Sequence, residues 1–211
     1  MDVTPRSSPP DEQPVPPAAG PTHAVVALLV SVFCSMAAVA AQVTTLGKQV
    51  YDLTGRELDL GWLGLAEFAP AALLVLVTGA VADRRDRRIV AAWSSLGQAG
   101  VAILLALYAG TRPTSVGPIF ALVFVFGIAR AFAAPAARAL PADVVAADRL
   151  PWLVARFAGA WQAGMIVGPV LGGFLYTVDV RLPYLATAAL LVVSAGAVSL
   201  VRAPAMTGAA G

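Results

Sequence analysis

The chain has 211 residues, 59% of them hydrophobic and 12% charged, with a formal net charge of +2 at pH 7 and a mean hydropathy of +0.80. A soluble domain carries about 25% charged residues. Half that share, with several uncharged runs of about 20 residues, excludes an ordinary water-soluble domain and predicts an all-α protein that crosses a membrane repeatedly. The basic residues sit in separate loops and form no long patch, which argues against nucleic acid as a partner. One cysteine, Cys34, lies inside an apolar run, so neither a disulfide framework nor a cysteine metal site is expected.

Residues 1–22 hold seven prolines (Pro5, Pro9, Pro10, Pro14, Pro16, Pro17 and Pro21) and mixed charge. That composition predicts a disordered tail. The apolar run after it is too long for a signal peptide, and no small-residue cleavage site closes it. A first span is expected from Ala24 to Gly47, uncharged throughout. Lys48 to Asp59, with Asp52, Arg56, Glu57 and Asp59 around Thr54-Gly55, reads as a short polar loop. The second span runs from about Leu60 to Ala82 and carries one acid, Glu67. Then Asp83 to Arg88 place six charges in six consecutive positions, a cluster that cannot lie in hydrocarbon.

The third span, Ile89 to Thr111, has no charge. The fourth begins near Gly117-Pro118 and ends near Arg138, with Arg130 inside it. Pro141 to Pro151, holding Asp143, Asp148 and Arg149, reads as a loop. The fifth span is about Trp152 to Val178, and Arg156 near its start can snorkel to the headgroups. The sixth is Leu182 to Val201, uncharged, before a short tail. Spans three and six, free of charge, suit the lipid-facing rim. The expected organisation is a tail at 1–22, a six-span bundle at 23–202 and a second tail at 203–211.

Basic residues are retained on the cytoplasmic side of a membrane. Arg6, Arg84, Arg85, Arg87, Arg88, Arg138, Arg149 and Arg202 fall on the side of the arginine loop. Lys48, Arg56, Arg112 and Arg181 fall on the other. Both ends are therefore expected in the cytoplasm and the bundle in the plasma membrane. Tyr51, Trp62, Tyr108, Tyr176 and Tyr184 mark outer span ends, and Trp93 and Trp152 inner ones, as an aromatic belt requires. Spans one to three open at residues 24, 60 and 89, and spans four to six open about 93 residues later, near Gly117, Leu153 and Leu182. Three spans repeated once give two units of opposite orientation, the inverted-repeat pattern of secondary transporters.

Several residues invite a function. Arg130 inside a span costs at least about 2.5 kcal/mol unless it faces a partner or a wet cavity; it either does so or snorkels to the inner headgroups. Glu67 is either a protonatable carboxylate buried in the bundle or a polar residue at a cavity mouth. Gln42 and Gln162 are cavity hydrogen-bonders or core. Gly164, Gly168 and Gly172 recur every four residues, with Ala160 a turn earlier, and form a smooth stripe that permits close helix approach. Pro169 removes a backbone donor there and predicts a kink. The stripe is either a seam against another bundle or tight packing within this one. One histidine, His23, and no nucleophile or metal constellation argue against an enzyme, and no metal or cofactor is expected.

The loop Gly79-Ala80-Val81-Ala82-Asp83-Arg84-Arg85-Asp86-Arg87-Arg88 resembles the G-x-L-x-D-R-x-G-R-R signature of major facilitator superfamily transporters. Gly164-Met165-Ile166-Val167-Gly168-Pro169-Val170-Leu171-Gly172-Gly173 resembles the G-x-x-x-G-P-x-x-G-G motif of its exporters and antiporters. Gln49 to Gly55, and Arg130-Ala131-Phe132 followed by Pro135-Ala136, are similar to the enterobactin-exporter branch, also called transmembrane secretion effectors. Asp86 stands where the loop glycine is usual, and Ala133 and Ala134 where Gln and Gly usually follow the arginine.

The resemblance covers about residues 25–202 and implies half of a twelve-span fold, the amino-terminal half of a proton-coupled exporter of small molecules. It implies that Gly79, Asp83, Arg84, Arg87 and Arg88 form a gating loop, where the residues alone also allow a topology anchor that holds the loop in water. It implies substrate or proton coupling for Arg130, beside which Glu67 is the candidate coupling or cavity-mouth acid read from the residues themselves, and an occlusion helix at Gly164, Gly168, Pro169, Gly172 and Gly173. The partners would be the bilayer, a small-molecule substrate, protons and a second six-span bundle from another chain, a second copy or a lost domain. The alternative is a non-transporting remnant or a six-span assembly partner.

Overall fold

The computed structural model describes residues 23–84 and 86–201, the side chains of residues 75–77 and 79–84 excepted. The tails at 1–22 and 203–211, Arg85, and the side-chain roles assigned to Gly79, Asp83 and Arg84 lie outside the described residues. Six helices follow one another: α1 (His23–Thr54), α2 (Glu57–Arg84), α3 (Arg87–Gly110), α4 (Gly117–Val144), α5 (Leu150–Val178) and α6 (Leu182–Ser199). No strand occurs among the described residues. Five of the helices, α1, α3, α4, α5 and α6, are long and apolar enough to cross a membrane. Each run matches an apolar stretch of the sequence, as expected where backbone groups can be satisfied only within a helix.

The helices outrun the expected spans where the polar residues can be satisfied along the helix itself. α1 continues through the Lys48–Asp59 segment to Thr54, leaving only Gly55 and Arg56 between α1 and α2. Lys48 and Asp52 pair one turn apart on its surface, a spacing that supports a helix. Gly55 then ends α1 at φ +62°, with its N–H on the Tyr51 carbonyl at 2.8 Å, the left-handed cap that glycine takes without strain. At 1.5 Å per residue α1 is about 48 Å long, more than a hydrocarbon core of about 30 Å, so its polar last turns project beyond the core.

α4 likewise corrects the loop expected from Pro141. It runs through Pro135 and Pro141 to Val144, and the connection to α5 is only residues 145–149. Each proline removes a single helix hydrogen bond, and the buried Ala136, Leu140 and Pro141 hold the segment against its neighbours. Asp143 is thereby a helix residue. α5 is continuous across Pro169.

The helices form a row. α5 packs on α1, α1 on α6, α6 on α3, α3 on α4, and α4 on α2. α3 and α6 occupy the middle of the row, with 50% and 44% of their apolar stretches buried and with Leu104, Leu107, Val192 and Val193 exposed. Freedom from charge marks a buried helix as readily as a lipid-facing one. Helix starts recur at intervals of 93 to 95 residues, α1 to α4, α2 to α5 and α3 to α6.

One apolar cluster joins α1, α3, α4 and α6 around Phe126, Leu105, Ile119 and Leu191. A second, nearer the other end, joins Leu28, Leu140, Leu153 and Val198. Lipid tails are as apolar as leucine, so these contacts hold by fit and by hydrogen bonds rather than by expelling water. The hydrogen bonds cross from α1 to α6. Ser31 and Ser194 bond through their hydroxyls at 3.0 Å and to each other's carbonyls at 3.1 and 2.9 Å. The fully buried Tyr184 hydroxyl donates to the Gln49 side-chain oxygen.

Tyr184→Phe is expected to destabilise the bundle by about 1 kcal/mol, within the range found for hydrogen bonds between membrane helices. Unfolding in a denaturing-detergent titration measures it. A Tyr184→Phe variant that also carries Gln49→Leu should lose little more than the single change.

Candidate functional site

Two intramembrane charges that stand 63 positions apart in sequence meet in the structure. Arg130 lies midway along α4, and Glu67 a little over a third of the way along α2. The Arg130 Nη1 donates to the Glu67 Oε1 in an ion pair. The two are unequally covered: the Glu67 side chain keeps 7% of its surface and that of Arg130 keeps 34%. The Arg130 Cζ also lies 5.6 Å from the centroid of the exposed Phe68 ring, within cation–π range. Arg130 therefore reaches sideways to α2 and not inward to the headgroups.

Gly127 makes this meeting possible. A Cβ there would lie 2.5 Å from the Glu67 carbonyl oxygen and 3.1 Å from the Pro70 ring. The glycine brings the α4 backbone onto α2 one turn before Arg130. Pro70 adds its own condition, since it leaves the Ala66 carbonyl without its helix donor. Gly127, Pro70 and Phe68 were not singled out in the sequence. The usable signal was the spacing of Gly127 and Arg130, three residues apart and hence neighbours on one helix face.

The glycine stripe of α5 faces α1 of the same bundle. A Cβ on Gly164, Gly168 or Gly172 would lie 2.5 to 2.7 Å from the carbonyl oxygens of Phe33, Ala37 and Ala41 in turn. The stripe is thus filled by α1, which corrects its reading as a seam against another bundle. Gly173 stands apart, exposed with nothing within 4 Å. Pro169 is half-buried beside the stripe. The opposite side of α5 leaves Ile166, Val170, Phe174 and Val178 exposed. Gln162 is exposed on α5, whereas Gln42 is buried in α1 with neither amide atom hydrogen-bonded among the described residues.

Both described arginines of the charged loop are engaged inside this bundle. The Arg87 Nη1 lies 3.1 and 3.2 Å from the two carboxylate oxygens of Asp143 on α4. The Arg88 Nη1 donates to the Val201 carbonyl at 2.6 Å, beyond the end of α6, where a cation also meets the negative end of the helix. Asp86 caps the start of α3: its carboxylate accepts from the Arg88 backbone N–H at 2.9 Å and from the Arg88 side chain at 3.2 and 3.1 Å. At the other membrane face, the Tyr176 hydroxyl of α5 donates to Asp52 of α1 at 2.9 Å, and Lys48 stacks 5.5 Å above the same ring.

A family profile described as Major Facilitator Superfamily matches residues 28–209. The chain belongs to the major facilitator superfamily. Its members are membrane transporters, and the six helices are those of a multi-pass membrane protein of that superfamily. Among curated proteins, the chain is 30% identical over 130 residues to "Multidrug resistance protein MdtG" of Serratia proteamaculans (strain 568). The match covers 60% of this chain and 30% of that protein, so it reaches less than a third of the length of that curated relative.

Two outcomes test the geometry. Gly168→Ala should lower stability by about 1–3 kcal/mol, the usual cost of overpacking, because the new methyl meets backbone that cannot swing aside. Gly173→Ala should leave stability unchanged, and thermal unfolding in detergent compares the two. The Arg88 side chain, hydrogen-bonded to Asp86, holds the Asp86 carboxyl below the usual carboxylate range. A depressed folded value means stability that is present above the unfolded value of about 3.9 and lost as the pH falls through the folded one. Asp86→Ala should cost about 1 kcal/mol at pH 7 as a lost helix cap. The difference from wild type should vanish in strong acid, read by circular dichroism.

Proposed function

We propose that this chain forms the amino-terminal six-helix bundle of a proton-coupled exporter of small molecules and works against a second six-helix bundle across a shared cavity. The observation that carries this is the Glu67–Arg130 ion pair, held between α2 and the mid-length of α4 in a major facilitator bundle. Ionisable residues at such depth are retained where they line a substrate or ion path. The bundle is read as two inverted three-helix repeats. The even intervals between helix starts support this, as does the row of helices, in which exchanging α1 with α4, α2 with α5 and α3 with α6 returns the same neighbours. The excess of arginine on the side of the charged loop supports a cytoplasmic position for both ends.

In this reading Glu67 carries the coupling proton. Protonation removes the charge that Arg130 pairs with, and the guanidinium then takes another partner in the cavity. Gly79, Asp83 and Arg84 act with Arg87 and Arg88 at the cytoplasmic gate. Gly164, Gly168, Pro169, Gly172 and Gly173 shape α5, whose outer apolar side then meets the second bundle. The relative's name, a multidrug resistance protein, supports drug-like organic molecules as cargo.

Accumulation of a panel of acidic, basic and neutral drugs in cells expressing the chain tests the proposal. Wild type should lower accumulation of at least one drug class. Glu67→Gln and Arg130→Ala should each abolish at least nine-tenths of that effect, and collapsing the proton gradient should do the same. Asp83→Asn should slow efflux without preventing drug binding. Efflux unaltered in both Glu67→Gln and Arg130→Ala would remove the coupling assignment.

A further inference from the structure

The ion pair has an exposed pole and a covered one, and this fixes the sign of what can bind there. Glu67 is 7% exposed and lies beneath Arg130, which is 34% exposed. A guanidinium has five N–H donors. Arg130 gives Nη1 to Glu67, and its other donors have no acceptor among the described residues. A cation approaching the site meets the guanidinium first and has no open carboxylate to reach. An anion meets unused donors arranged in the planar fork that suits carboxylate, phosphate or sulfonate.

The surroundings add shape. The Phe68 ring, 62% exposed, stands beside the guanidinium with its centroid 5.6 Å from Cζ. A flat apolar body attached to the anionic group would lie on that ring while its charge meets Arg130. Among the described residues the pair's only ion-pair contact is with each other; α1 carries Lys48 and Asp52 near its far end, and α3 carries Arg87 and Arg88 at its first turn.

We infer that the Arg130 donor edge and the Phe68 face form a binding subsite for an aromatic organic anion, with Glu67 as the internal carboxylate that such a ligand competes against. The inference rests on the transport reading for its purpose and names the class of cargo. Its geometry stands on the pair alone. Glu67 here is a positioning residue: it orients the guanidinium and weakens anion binding by occupying part of it.

The test is equilibrium binding to the full chain in nanodiscs of zwitterionic lipid, with partition into empty discs subtracted. The probes are 1-naphthoate and 1-naphthylmethylammonium, close in size and opposite in charge. Wild type should bind naphthoate at least tenfold more tightly than the ammonium probe. Glu67→Gln should tighten naphthoate binding, because the competing carboxylate is gone; a merely structural Glu67 would weaken it. Phe68→Leu should weaken it two- to fivefold, the size of a cation–π and stacking contact at a partly exposed site. Arg130→Ala leaves a buried acid and can unfold the bundle, so the double variant Glu67→Gln with Arg130→Gln keeps two neutral side chains of similar length. It should retain the thermal transition and lose at least tenfold in naphthoate affinity.

Equal or tighter binding of the ammonium probe, or unchanged naphthoate affinity in the double variant, would overturn the subsite. Naphthoate binding that behaves as described, in a chain that exports nothing, supports the subsite and overturns only the transport reading. Proton-driven export of basic drugs with no naphthoate binding overturns the subsite alone.

Discussion

Close approach of helix backbones is the condition on which this bundle rests. Between helices in hydrocarbon there is no water to expel, so a pair is held by contact and hydrogen bonds. Contact is strongest where nothing projects between the backbones. α5 meets α1 through three glycines whose missing Cβ atoms would stand within 2.7 Å of carbonyl oxygens. α2 meets α4 through one, Gly127, under the same restriction. These two pairs terminate the row at either side. Each terminal helix has one main neighbour, so a single close contact has to do for α2 and α5 what two contacts do for the helices between them.

The charged pair depends on the same restriction. An arginine buried alone in a membrane costs at least about 2.5 kcal/mol, and a buried acid deprived of its partner is similarly unfavourable. Neither Glu67 nor Arg130 is acceptable without the other, and the reach between them is set by how near α4 lies to α2. A methyl on Gly127 would push directly against the Glu67 carbonyl. Packing and electrostatics are therefore not separate contributions here: the glycine sets the distance, and the distance makes the charges tolerable.

The apolar runs and their order were legible in the sequence because a bilayer imposes a length and a composition on whatever crosses it. The ends were less so. Lys48 and Asp52 look like loop residues one at a time, yet their spacing lets them neutralise each other on a helix. Pro141 looks like a stop, yet burial of its neighbours carries α4 past it. Within the site, Glu67 and Arg130 were each conspicuous as charges in apolar runs, but their pairing required knowing that α2 and α4 adjoin, which no local pattern states. The glycine stripe announced a close contact without naming the helix that fills it. Pattern gives a face; only the three-dimensional arrangement gives its occupant.

One helix connects the two charged regions that remain. α4 carries Arg130 at its middle and Asp143 near its end, where Asp143 holds Arg87 of the charged loop. Thirteen residues separate them, about 20 Å of helix. A movement of the loop is therefore felt along α4 at the depth of the ion pair, to the extent that the helix is stiff. Pro135 lies between the two and leaves the Ala131 carbonyl without its helix donor, and helices bend most readily at such a point. Arg88, fastened to the Val201 carbonyl beyond α6, restrains the same loop from the opposite side. Among the described residues, Arg87 on Asp143 ties the loop to α4 and Arg88 on the Val201 carbonyl ties it to the end of α6. Both contacts are partly exposed and each is individually weak.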